Sequence, residues 1–200
     1  MTTTKPLPKE NYYRVLENDW GVFFWNPPGF LSNFTWVNFT YNNVNYVCTE
    51  QAVHHYKALL FGDLIIADKI MSTNEPNLHK KYGRQVKNFD DTIWKEKIPT
   101  ILYDILICKF SQNKDYLQAL LDTKNKKLHE ASPRDFIWGI GVDPETAVKC
   151  TEEESQKWTG KNLLGKTLMK VRKTLKTGCP CDDLPRFDEN EIVQYLGSGI

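Results

Sequence analysis

Three groups of residues in this chain have the types and spacing to do chemistry. Glu50, His54 and Lys57 stand at i, i+4 and i+7, which puts them on one face of any helix that carries them. A carboxylate there can move a proton, and histidine is the side chain that changes charge near neutral pH. The ammonium of Lys57 can orient the acid or hold a phosphate. Ala52, Tyr56 and Leu59 fall on the opposite face, so the same spacing also describes an ordinary amphipathic surface helix. The second group is Glu130-Ala-Ser-Pro-Arg-Asp135-Phe-Ile-Trp138-Gly139-Ile-Gly141. An acid, a Trp to stack on a flat ring and glycines that let backbone approach a ligand suit a pocket wall. A turn anchored by a buried Trp has the same composition. Two carboxylates flanking a glycosidic bond are what its hydrolysis needs, and Asp135 would be the partner of Glu50.

The third group, Gly160-Lys-Asn-Leu-Leu-Gly165-Lys166-Thr167, spells the phosphate-cradling pattern G-x-x-x-x-G-K-[ST]. That loop must follow a buried strand, and Thr151-Glu-Glu-Glu-Ser-Gln-Lys157 is too charged to be one. Leu164 is also in phase with Leu168, Val171 and Leu175, as part of a helix's apolar face. The match reads as a decoy. Lys157, Lys161, Lys166, Lys170, Arg172, Lys173 and Lys176 nonetheless make a basic run without an acid. Asn162 can cap the helix that follows, whose amino end would seat a phosphate. A solvated basic face is the plainer alternative.

The elements that must position these residues can be read from the same chain. Residues 1–21 are polar, with Pro6 and Pro8, and read as a mobile lead-in. Val22–Trp25 is a short apolar stretch stopped by Asn26-Pro27-Pro28-Gly29, and Phe34–Val47 reads as a hairpin about Asn42-Asn43. Thr49 can cap a helix to about Phe61, and Asp63 can start another through Met71. A longer helix is expected from Asp91 past Cys108, kinked or split at Pro99, then shorter ones around Leu117–Leu121 and Leu164–Leu175. Leu128–Val142 is more strand and loop than helix. The expected fold class is α+β, mainly helical, with a small sheet. A domain over 22–176 would be followed by an extension over 177–200 that carries five acids and one basic residue, Arg186.

Two hundred residues suit one domain, and 26 Lys+Arg against 25 Asp+Glu leave +1, so no global charge drives the chain to nucleic acid or membrane. No run is apolar enough to span a bilayer, and Met1–Glu10 lacks a signal-peptide core. The five cysteines (Cys48, Cys108, Cys150, Cys179, Cys181) show no zinc or redox spacing, and Cys179-Pro-Cys181 reads as incidental. An intracellular setting, cytoplasmic or nuclear, is expected. His54, His55, His79 and His129 show no metal-ligand spacing, so neither metal nor cofactor is expected.

Taken in order, several short motifs resemble those of the NADAR (YbiA-like) family. They are Phe30-Leu-Ser-Asn-Phe34, Thr49-Glu50 with Lys57, Tyr82-Gly83-Arg84 and Lys109-Phe110-Ser-Gln-Asn113. Leu120-Leu121-Asp-Thr123, Glu130 to Gly141, Gly160-Lys-Asn162-Leu-Leu-Gly165 and Leu168-Met169-Lys-Val-Arg172 follow. The resemblance implies a compact α+β N-glycosidase whose substrates carry ribose 5-phosphate or ADP-ribose on a nitrogen. It implies catalysis by Glu50 with Asp135 and Lys57, and substrate binding by Asn33, Ser32, Arg84, Trp138, Gly139 and Asn162. The chain departs from the family in having Gln51 and His54 where the family has His and Gln. Two substrates are consistent with it: ADP-ribosylated guanine in nucleic acid, favoured by the basic run, and a phosphoribosylamino-pyrimidine of riboflavin synthesis. A non-catalytic ADP-ribose reader and a P-loop NTPase are the rivals. The expected state is a monomer, away from membranes.

Overall fold

The structure is a computed structural model and describes residues 15–178. The lead-in up to residue 14, the acidic extension from residue 179 and the Cys179/Cys181 pair lie outside the described residues. In chain order the strands β1 (Val15–Glu17), β2 (Gly21–Phe24), β3 (Phe39–Tyr41) and β4 (Val44–Tyr46) come first. The helices α1 (Thr49–Leu60), α2 (Leu64–Met71), α3 (Pro76–Gly83), α4 (Asp91–Ser111) and α5 (Lys114–Asp122) follow. Strand β5 (Lys127–Glu130), helix α6 (Pro144–Ala147), a 3-10 turn (Glu154–Lys157) and α7 (Leu163–Lys176) complete the order. The expected mainly helical α+β class is found. Contacts divide the chain into two compact units: one takes in residues up to Thr35 and Gln118–Met169, the other Trp36–Leu117 and residues from Lys170.

The first unit is built on a three-stranded sheet in the order β1-β2-β5. Strand β2, Gly-Val-Phe-Phe, is buried at all four positions because it is the central strand, antiparallel to β1 and parallel to β5. The lead-in expected to reach residue 21 therefore contains a strand: Val15 pairs with Phe24 and Glu17 with Val22. Its polarity is that of an edge strand, half-exposed along its length. Phe23, Ala131, Ile140 and Ala147 form a core cluster, with Trp20, Val142, Val148 and Trp158 packed around it.

In the second unit, Asn42 and Asn43 take φ of 48° and 61°, the left-handed pair that closes a tight hairpin between β3 and β4. Phe39 and Tyr41 are buried while Thr40 between them is exposed, as alternation requires. Tyr41 and Tyr46 turn inward onto Tyr56 of α1, with ring centroids 4.9 and 6.5 Å away. Helix α1 is capped by Cys48, not by Thr49: the thiol accepts from the Gln51 amide at 3.4 Å. Gln51 returns an oxygen to the Val47 amide and donates its own N–H groups to the carbonyls of Ile70 and Thr73, tying α1 to the end of α2. Asp63 caps α2 through the Ile66 amide as expected. Helix α3, with Pro76 in its first turn, is an element that the apolar periodicity gave no sign of. Helix α4 starts from Asp90 and runs unbroken through Pro99. Pro99 lies on an exposed face, where the carbonyl that lost its donor can turn to water.

Candidate active site

In the second unit the chemistry gathers at the start of α1. Glu50 is 7% exposed in a helix buried on most sides, which is not the environment of an amphipathic surface helix. Its position in the first turn sets the carboxylate near the positive end of the helix dipole. His54, one turn on, meets it: Nε2 stands 3.0 Å from Glu50 Oε1. Because the carboxylate accepts, Nε2 donates, and Nδ1 is left buried without a hydrogen-bond partner among the described residues.

Lys57 lies two turns from Glu50, too far along the axis to pair with it directly. Its ammonium donates to the Gly83 carbonyl at 2.9 Å and sits 3.9 Å over the Phe89 ring, and burial pushes its pKa down. The orientation of Glu50 thus falls to His54, which sequence reasoning treated as a departure from the family. Gly83 is buried, and Arg84 beside it is exposed at the end of α3.

Cys48 and His79, which feel the Glu50 charge, and Lys109, which faces Cys48, were given no role from sequence. The Cys48 thiol is pushed up to about 12, chiefly by burial; the Glu50 charge raises it further and the Lys109 charge pulls it back. Lys109 is fully buried, and burial lowers its pKa to about 7. Burial also lowers that of His79, whose Nε2 donates to the Thr73 carbonyl at 2.9 Å and which feels the charges of Glu50 and His54. The signal for Lys109 was present: a lone cation inside Ile105-Leu-Ile-Cys-Lys-Phe110 must be buried with its apolar neighbours.

In the first unit the structure gathers Asp135, Trp138, Gly139 and Asn162 into one knot of backbone. Asp135 Oδ1 accepts from the Ile137 and Trp138 amides at 3.0 and 2.7 Å, so this carboxylate shapes its own loop and is partly exposed. The buried acid of this segment is Glu130, 9% exposed at the end of β5. A Cβ on Gly160 would lie 2.4 Å from the Gly139 carbonyl oxygen, so glycine is required where the two loops cross.

The expectation that Asn162 caps α7 and opens a phosphate seat is corrected. Its Oδ1 accepts from the Glu130 amide at 3.0 Å and its Nδ2 donates to the Leu128 carbonyl at 2.9 Å, so the side chain is tied to β5. The amides of Lys161, Asn162, Leu163 and Leu164 are all bonded to carbonyls of the 136–139 segment. A phosphate would find those donors taken. The same bonds remove the cradle of a P-loop, and among the described residues the element that leads into Gly160 is the 3-10 turn Glu154–Lys157 and not a strand.

Ser32 is buried, its hydroxyl accepting from the Phe34 amide in a local turn. Asn33 has a buried Oδ1 without a donor among the described residues, the kind of acceptor a sugar hydroxyl can satisfy. Glu50, Lys57 and Arg84 belong to the second unit, and Ser32, Asn33, Asp135, Trp138, Gly139 and Asn162 to the first. Among the described residues no group of three or more His, Cys, Asp or Glu is placed to hold a metal ion, and no helix is long and apolar enough to cross a membrane.

The model of the NADAR domain matches residues 23–176 of this chain. N-glycosidase R617 of Acanthamoeba polyphaga mimivirus is 48% identical over 127 residues, which are 64% of this chain and 73% of that one. Riboflavin biosynthesis protein VVA0006 of Vibrio vulnificus is 27% identical over 180 residues, 88% of this chain but 44% of that longer protein. The NMR structure of the E. coli protein YbiA superposes with a TM-score of 0.64 at 22% identity, covering 84% of this chain and 92% of the other, a likeness of fold.

Proposed function

The chain belongs to the NADAR domain family, and from that premise we propose that it is a metal-independent N-glycosidase that releases ADP-ribose from ADP-ribosylated guanine in nucleic acid. The observation that carries the reading is the buried Glu50 carboxylate held by His54. Hydrolysis adds water across the bond between the ribose C1 and a base nitrogen: the hydrogen goes to the nitrogen and the hydroxyl to C1. The transition state is oxocarbenium-like, so a carboxylate beside C1 stabilises the charge and takes the proton of the attacking water. Glu50 serves in that role. Asp135 is the proposed second carboxylate, with Glu130 its rival in the same segment. Trp138 stacks on the base, Asn33 binds ribose hydroxyls, and Lys57 with Arg84 supplies positive charge toward phosphate. Gly139 lets backbone come close, while Ser32 and Asn162 hold the loops in place.

The nucleic-acid substrate is favoured by α7, where Lys166, Lys170, Lys173 and Lys176 are exposed while Leu164, Leu168, Val171 and Leu175 are buried. Several phosphates suit such a stripe. A second reading, cleavage of a phosphoribosylamino-pyrimidine, is favoured by the name of the Vibrio relative. The test is mass spectrometry of a guanine-ADP-ribosylated oligonucleotide incubated with the protein in chelator. Free ADP-ribose is expected, and Glu50→Gln should lower its release by about a thousandfold. Full turnover by a folded Glu50→Gln protein would remove Glu50 from the mechanism. Release from the pyrimidine alone would establish the second reading.

A further inference from the structure

We propose that His54 and Gly83 act together as the positioning device for Glu50, with the absent side chain of Gly83 giving the imidazole its place. The inference rests on the reading of Glu50 as the acid/base residue. Among the described residues His54 is held by hydrogen bonding on one edge, through the 3.0 Å bond from Nε2 to Glu50, and Nδ1 has no hydrogen-bond partner. The ring therefore needs a wall on its other side, and α3 provides it. A Cβ built on Gly83 would lie 2.0 Å from His54 Nδ1, 2.5 Å from Cγ and 2.7 Å from Cε1. No real carbon approaches that closely, so a single methyl at position 83 must evict the ring.

The eviction is local. An imidazole is the mobile end of a side chain and can swing on χ1 without shifting either helix, so the loss falls on the contact to Glu50. Gly83 also gives its carbonyl to Lys57 at 2.9 Å. Both polar residues that follow Glu50 on its face of α1 thus abut the same buried glycine, one turn and two turns along. The consequence is a residue that touches neither substrate nor Glu50 and yet sets the angle of the carboxylate.

The first measurement is the imidazole region of long-range 1H–15N spectra of the full chain, which requires no turnover. Wild-type His54 should appear with its proton fixed on Nε2, and Gly83→Ala should abolish that signature; its persistence overturns the proposal. The second is steady-state release of ADP-ribose from the guanine-ADP-ribosylated oligonucleotide. Gly83→Ala should lower kcat by about a hundredfold with KM changed less than about twofold, as expected for a misplaced catalytic group. Adding His54→Gln should restore most of that loss, because a flexible amide clears the methyl and still donates to Glu50. Loss without rescue overturns the proposal in favour of a merely structural glycine. Should Gly83→Ala fail to fold, His54→Leu, which leaves Gly83 in place, must show the same kcat loss, and normal kcat there overturns it. Full activity of Glu50→Gln would instead refute the role given to Glu50, leaving the spectra to judge the geometry alone.

Discussion

At the scale of single residues, the buried titratable groups carry consequences that can be measured as stability. His129 stacks on Phe23, with centroids 5.3 Å apart, and meets the Trp20 and Trp158 rings edge-on. Its Nδ1 faces Asn162 Nδ2 at 3.2 Å, so the ring is neutral with its hydrogen on Nε2. Burial lowers its pKa from 6.5 to about 4, and that of His55 likewise. Between those values the unfolded chain takes up protons that the folded chain does not, so stability is present above 6.5 and declines as pH falls toward 4. His129→Phe should shrink the loss of stability between pH 7 and 5, read from urea midpoints.

Lys109 works in the same sense at higher pH. With its pKa lowered from 10.5 to about 7, the folded state gains on the unfolded as pH rises from 7 toward 9, where Cys48 begins to oppose it. Lys109→Met should flatten that rise, and an unchanged profile would show that the ammonium is not confined. The spacing of Glu50, His54 and Lys57 put them on one face of a helix, as α1 does. It described a surface helix equally well, and only the burial of Glu50 separates the two. The hold of His54 on Glu50 was half-legible: i, i+4 put the two in reach, but the wall that fixes the ring comes from Gly83, and sequence distance does not reveal that contact.

At the scale of elements, local chemistry was readable wherever a backbone rule forces it. Asn42-Asn43 closes a hairpin, and Asp63 caps α2. The apolar phase from Leu164 to Leu175 shows as the buried stripe of α7. The two capping misreadings share one cause, competition for a hydrogen-bond partner. Asn162 looked like a cap, yet its amide holds β5; Thr49 looked like a cap, yet the Cys48 thiol occupies the Gln51 amide. Helix α3 went unseen because its Pro-Asn-Leu-His-Lys-Lys-Tyr-Gly sequence has too few apolar residues to show a period.

The loop crossing makes a prediction at this scale. Gly160→Ala sets a methyl against the Gly139–Ile140 backbone, which has no rotamer to swing away, and should cost about 3 kcal/mol in urea denaturation. Asn162→Ala leaves a buried amide and carbonyl of β5 unpaired and should cost about 2 kcal/mol.

At the scale of the whole molecule, a formal charge of +1 means that any attraction to nucleic acid must come from a local stripe. If α7 grips the backbone, affinity for the modified oligonucleotide should fall with salt, and replacing Lys166, Lys170, Lys173 and Lys176 by Gln should reduce the slope by up to about three in log–log units. A flat response with full turnover would favour the small metabolite.

The pairing of β2 with β5 also orders the birth of the protein. Gly21 finds Lys127 and Phe24 finds Glu130 only after about a hundred further residues have been made, a long loop to close. Until the ribosome has delivered β5, the Gly-Val-Phe-Phe strand must wait with one edge open, an apolar template for another chain. Nascent chains stalled before residue 127 should therefore be captured by chaperones or aggregate, and chains released beyond the last helix should not.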